Sequence, residues 1–184
     1  MQMNCRPEDM LLYAVTDRAW LKGETLESQV EKALKGGATF VQLREKELDE
    51  AEFLEEAKKL KMLCRKYQVP FVINDNVEIA LSVDADGVHV GQSDREAGKF
   101  REKLGPDKII GVSCKNVEQA LLAKKHGADY LGVGAIYPTG TKKDADAVTP
   151  GMLAKICQAV DIPVVAIGGL NKEQIGRASC RERV

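Results

Sequence analysis

Short apolar runs rich in β-branched residues alternate along this chain with segments of helical period, and few folds accommodate that alternation. It predicts strands at Leu11 to Thr16, Phe40 to Arg44, Phe71 to Asp75, Gly87 to Gly91, Ile109 to Cys114, Tyr130 to Tyr137 and Val164 to Gly168, with six helix candidates between them. Strands separated by helices belong to repeated βα units around a parallel sheet. The clearest helix runs from Asp49 to about Gln68, where Phe53, Ala57, Leu60, Cys64 and Tyr67 recur at three- and four-residue intervals and share one face. Thr25 and Asp49 are expected N-caps, and Gly36-Gly37, Gly105 and Gly127 are expected stops. A related phrase recurs at Lys35-Gly36-Gly37-Ala38-Thr39-Phe40 and Lys125-His126-Gly127-Ala128-Asp129-Tyr130, joining a helix end to a strand start each time.

A chain of 184 residues has room for one ordinary domain, and 44% hydrophobic with 30% charged residues is a globular balance. The formal net charge of -1 gives no broad basic field, so neither nucleic acid nor an acidic membrane surface is an expected partner. No apolar run approaches the roughly 20 residues that span a bilayer, and the first ten residues carry no signal-like segment, so a cytoplasmic protein is expected. Cys5, Cys64, Cys114, Cys157 and Cys180 are odd in number and unpaired in spacing, which reads as buried or incidental thiols rather than a zinc site. The pattern is expected to hold over residues 1–174 as one barrel domain of about seven βα units. In the segment 175–184, IGRASCRERV, periodicity stops and Arg replaces Lys, as in an adapter read-through, and a non-native tail is expected there.

Polar residues gather where the predicted strands end, which in a (β/α)8 barrel is the active-site rim. On the second strand Gln42, Arg44 and Lys46 alternate with Val41, Leu43 and Glu45, so one amide and two cations point the same way. That trio suits a diphosphate; the plainer reading is a charged strand end entering a loop. Asn74-Asp75 ends the third strand and Gln92-Ser93-Asp94 follows the fourth. Asp75 and Asp94 are a candidate Mg2+ pair, and each could equally cap the helix that follows. His89, inside a short apolar strand, reads as a core or rim histidine rather than a general base. The fifth strand ends at Ser113-Cys114. After the sixth comes Pro138-Thr139-Gly140-Thr141-Lys142-Lys143-Asp144, a phosphate-binding composition or a polar lid. Gly168-Gly169 before the Asn171 helix is a second phosphate-site candidate, or simply a turn.

Together with Val15-Thr16-Asp17 and Gly111-Val112-Ser113, these pieces closely resemble the thiamine phosphate synthase family, in order and spacing, to about Gln174. The resemblance implies a (β/α)8 TIM barrel, here without its eighth strand. It implies a transferase that joins hydroxymethylpyrimidine diphosphate to thiazole phosphate and releases pyrophosphate, with Mg2+ as cofactor. Carried over to this sequence, it gives Gln42, Arg44, Lys46, Asn74, Ser113 and Lys142 to the pyrimidine diphosphate. Asp75 and Asp94 go to Mg2+, and Thr139, Thr141 and the Gly169 backbone to the thiazole phosphate. Lys46, Ser113 and Lys142 are the expected catalytic residues. In the family the pyrimidine ionises to a carbocation before the thiazole nitrogen attacks, so no general base is required. The implied partners are these small-molecule substrates, and a homo-oligomer is compatible with the sequence. A thiazole tautomerase-like relative, another sugar-phosphate barrel and a non-catalytic phosphate-binding barrel are the competing readings; the complete Gln42, Arg44, Lys46, Asp75 and Asp94 set argues against the first.

Overall fold

The computed structural model describes residues 5–91, 96–137 and 147–170. Asp94, Thr139, Thr141, Lys142, the cap expected at Asn171 and the segment 175–184 lie outside them. The chain divides into two compact units, one built on residues up to His89 together with Glu102–Ile109, the other on Val90–Arg101 together with residues from Ile110 onward.

The first unit is built on β1 (Tyr13–Val15), α1 (Leu26–Lys35), β2 (Phe40–Leu43), α2 (Glu50–Lys66), β3 (Phe71–Asn74), α3 (Val77–Ser82) and β4 (Gly87–Val90). Neighbouring strands are parallel, with Val15 opposite Gln42, Leu43 opposite Ile73 and Asn74 opposite His89. In α1 the positions Leu26, Val30 and Leu34 are buried, and in α2 Phe53, Ala57, Leu60 and Cys64 are. Each helix therefore covers the sheet with a stripe at helical spacing and leaves its Lys and Glu face to water. Tyr67, expected on the same stripe, instead caps α2, and its hydroxyl donates to Glu31 on α1 at 3.1 Å. Thr25 and Asp49 cap their helices through the N–H groups of Ser28 and Glu52. Side chains such as Phe40, Leu43, Leu60, Phe71 and Ile73 are wholly buried, each worth about 1.5–3 kcal/mol of transfer free energy.

The second unit carries β5 (Ile109–Cys114), α5 (Val117–Lys125), β6 (Tyr130–Val133), α6 (Pro150–Ala159) and β7 (Val164–Ala166), while α4 (Glu96–Leu104) divides between the units at Arg101. Its strands are again parallel, with Ser113 opposite Gly132 and Val133 opposite Ala166. Gly111 is required by packing: a Cβ there would lie 2.0 Å from Cζ of the wholly buried Tyr130 ring.

The recurrent phrase before strand starts has a physical role. Thr39 donates its N–H to the Leu12 carbonyl at 2.8 Å, and its hydroxyl accepts the Leu12 N–H at 2.9 Å. Asp86 does the same to Phe71, through its N–H at 2.9 Å and its carboxylate at 2.7 Å, and Asp129 to Ile110, at 2.7 Å for both. The residue before one strand thus closes both hydrogen bonds at the start of the strand before it. Where β3 and β7 are preceded by Pro70 and Pro163, only the carbonyl is used, accepting from Val41 and Leu131, as a residue without an N–H must.

Strand ends fall short of the sequence expectation for a related reason. β2 stops at Leu43 rather than Arg44 because the Thr16 hydroxyl, not a backbone group, takes the Arg44 N–H. β6 stops at Val133 rather than Tyr137: Ile136 and Tyr137 donate instead to the carbonyls of Ile167 and Gly168, and Ala135 accepts from Val148. Among the described residues no helix is long and apolar enough to cross a membrane. Cys5, Cys64 and Cys114 are buried free thiols, and burial pushes Cys64 and Cys114 up to about 12, so both stay protonated near neutrality.

Candidate functional site

The C-terminal ends of β2 and β3 bring together the candidate residues of the first unit. Leu43 pairs with Ile73, so Arg44 and Asn74 leave the two strands in the same row. Gln42, one step inside, is 4% exposed, and its amide donates to the Tyr13 hydroxyl at 2.7 Å. Tyr13 in turn meets Phe40 edge-on at 4.8 Å. The amide is therefore oriented from β1. Arg44 is half-buried, and Lys46 is exposed. From Gln42 outward the three residues pass from core to solvent along one path.

Asn74 and Asp75 end β3 beside them. The Asn74 amide donates to Asp75 Oδ2 at 2.6 Å, and the Asp75 N–H donates to the His89 carbonyl at 2.9 Å. Asp75 has φ +61°, a left-handed conformation that Asp tolerates better than most residues. The turn delivers Asn76, not Asp75, to the helix cap, where Asn76 accepts the Ile79 N–H at 2.9 Å. The alternative role foreseen for Asp75 is thereby removed, and its carboxylate is left exposed on the rim. His89 is buried in β4, in keeping with a core histidine.

Three charged residues near this rim carry no role expected from the sequence. Glu45 lies between Arg44 and Lys46, and its side chain is 3% exposed. Its Oε1 accepts the N–H groups of Lys46 at 2.8 Å and Glu47 at 3.1 Å, while Oε2 accepts Arg18 Nε at 2.6 Å. The Arg18 guanidinium also pairs with Glu56 on α2. Burial works to raise the Glu45 carboxyl, but the Glu47 and Lys46 N–H groups and the Arg18 guanidinium prevail and hold it below the usual carboxylate range. Glu56 stands above that range, chiefly through burial and despite Arg18, with the charge on Glu45 adding to the rise. Arg18 itself is raised: burial opposes its charge, and Glu45 and Glu56 outweigh that. Burial of a charged residue at a strand end was the one signal in principle available, and it is a tertiary property.

In the second unit Ser113 lies on β5 opposite Gly132, and Gly169 has φ +67° in the turn after β7. The bonds from Ile136 and Tyr137 to Ile167 and Gly168 bring the approach to residues 138–146 alongside that glycine turn. Among the described residues no group of three or more His, Cys, Asp or Glu side chains could hold a metal.

A family model described as thiamine monophosphate synthase matches residues 12–181. A thiamine-phosphate synthase from Clostridium botulinum (strain Eklund 17B / Type B) is 54% identical over 167 residues, which is 91% of this chain and 78% of that protein. One from Clostridium acetobutylicum is 54% identical over 169 residues, covering 92% of this chain and 80% of its own. Among solved structures, thiamine phosphate pyrophosphorylase from Pyrococcus furiosus matches with a TM-score of 0.83 at 43% identity, over 91% of this chain and 79% of that one. FabK from Thermotoga maritima, at 17% identity with a TM-score of 0.67, covers 93% of this chain and 56% of its own and shares the fold alone.

Proposed function

The chain belongs to the thiamine monophosphate synthase family, a transferase with an α/β fold of the TIM-barrel class, and from that premise we propose that it joins hydroxymethylpyrimidine diphosphate to thiazole phosphate. The bond between the pyrimidine methylene carbon and the diphosphate oxygen breaks, and its electron pair leaves with pyrophosphate. The thiazole nitrogen then gives its lone pair to the resulting carbocation, forming the new carbon–nitrogen bond of thiamine phosphate. No proton has to be removed, so the residues need only hold the reactants and stabilise the leaving charge.

The observation that carries this reading is the row formed by Arg44 and Asn74 on adjacent strands, with Gln42 behind it and Lys46 beyond. Arg44 would grip diphosphate oxygens through its planar fork, and Lys46 would place a compact charge on the departing group. Asn74 and the Gln42 amide would fix the substrate beside them. Ser113 and Lys142 would contact the same diphosphate, while Thr139, Thr141 and the Gly169 backbone would hold the thiazole phosphate. Residues 1–174 would act as one catalytic domain, in the cytoplasm.

Asp75 fits a magnesium role on its chemistry. Its exposed carboxylate supplies hard oxygen donors, the helix cap is taken by Asn76, and its contact with Asn74 engages only Oδ2. Mg2+ takes one or two carboxylates, with waters and phosphate oxygens completing the shell. Asp75 and Asp94 would hold it, and when bound it would neutralise charge on the diphosphate. The test supplies both substrates and Mg2+ and follows pyrophosphate release together with thiamine phosphate formation. Stoichiometric appearance of the two products, dependent on both substrates, is expected. Binding of either substrate without turnover would replace this reading with a phosphate-binding barrel.

A further inference from the structure

The substrate roles above use Arg44 and Lys46 but leave Thr16, Arg18, Glu45 and Glu56 unexplained. Thr16, Arg18 and Glu45 lie where β1 and β2 end, and Glu56 on α2 pairs with Arg18. Asp17 accepts the Ala19 N–H at 2.9 Å and so caps the short 3-10 turn Arg18–Trp20 that presents Arg18. Arg18 grips Glu45 through Nε at 2.6 Å, and Glu45 spends its other oxygen on the backbone N–H groups of Lys46 and Glu47. Thr16 holds the backbone of Arg44 on the other side.

We infer that Arg18 and Glu45 are positioning residues for the reaction, fixing the backbone from Arg44 to Glu47 so that both cations meet the diphosphate already oriented. The inference rests on the diphosphate role proposed for Lys46. A partly buried ion pair is a weak way to gain stability, since an apolar replacement often does as well. Here the pair is spent on the backbone N–H of the very residue that must be aimed. Lys46 carries a long flexible stem, and a fixed backbone lowers the entropy it loses on gripping a phosphate. Glu45 cannot aid an anion by its own charge, which repels one. Its benefit to the site must come through geometry.

That sign gives a discriminating experiment. Glu45→Gln removes a negative charge near the diphosphate without changing side-chain size. Acting through space alone, it would tighten binding of an anion; acting through position, it weakens binding. Arg18→Lys keeps the charge and loses the fork that joins Glu45 to Glu56. The full chain and both variants are titrated with inorganic pyrophosphate and Mg2+ by calorimetry, melted thermally, and assayed for the KM of each substrate. We expect weaker pyrophosphate binding and a higher KM for the pyrimidine diphosphate by about tenfold or more, with the KM for thiazole phosphate little changed and melting still cooperative. Unchanged or tighter pyrophosphate binding in Glu45→Gln, or an equal rise in both KM values, overturns the inference. If Glu45→Gln loses its cooperative melt, Arg18→Lys decides by the same readouts. A parent chain that binds no pyrophosphate overturns the diphosphate reading and the inference with it; a parent that binds and variants that match it overturn the inference alone.

Discussion

One hydroxyl joins Thr16 to Arg44 twice, accepting the Arg44 N–H at 2.9 Å and donating to the Arg44 carbonyl at 3.3 Å. It replaces a rung of the β1–β2 ladder, and Thr16 is only 7% exposed. Thr16→Val keeps the shape and removes both bonds, leaving a half-buried N–H without that acceptor. A loss of about 1–3 kcal/mol in denaturant unfolding is expected, and Thr16→Ser should recover most of it.

Lys46 is exposed. Lys46→Ala should therefore leave the melting temperature close to that of the parent while turnover at saturating substrates falls by about a hundredfold, the scale of losing one preorganised charge at a departing oxyanion. Single-turnover pyrophosphate release measures the chemical step directly; an unchanged rate would remove Lys46 from the reaction.

Asp129 closes the start of β5 and also pairs with Arg101 at 2.6 Å. Asp129→Ala removes the side-chain acceptor of the Ile110 N–H and the carboxylate that pairs with Arg101, so about 2 kcal/mol of stability should disappear. Asp86→Ala, with Phe71 and Lys61 as the partners left behind, should behave alike. Chemical denaturation of the two variants checks both, and a loss at one site only would show that the two strand-start contacts have unequal roles.

Glu45 is depressed in the folded chain, where burial is outweighed by the N–H groups of Glu47 and Lys46 and by Arg18. A depressed carboxylate contributes stability that is present above its unfolded value of about 4.3 and lost as pH falls through the folded one. Glu56, raised chiefly by burial, has the opposite sign, so its protonation adds no loss. Unfolding curves between neutral and acid pH should show the parent losing stability below about pH 4.3 and Glu45→Gln losing less.

Strand starts at Phe40, Phe71, Gly87, Ile109, Tyr130 and Val164 were legible because each apolar run begins abruptly after a polar residue or a proline. Strand ends were not, since a ladder stops where a side chain or a crossing loop claims its hydrogen bonds, as Thr16 does at Arg44. Arg44, Lys46 and Asp75 could be nominated from their positions alone. Asp75 could not be separated from a helix cap until its left-handed φ showed that Asn76 takes that place. The Arg18, Glu45 and Glu56 cluster was invisible, because its members are 27 and 38 residues apart and nothing local marks them as partners.

The reciprocal bonds made by Thr39, Asp86 and Asp129 all lie where strands begin, whereas Arg44, Lys46 and Asp75 lie where strands finish. Alignment of neighbouring strands is thus locked at the end remote from the proposed diphosphate site. Loops on the reactive side are left to change in length and sequence without dislodging the frame, so substrate preference in such a chain can drift while its architecture stays put.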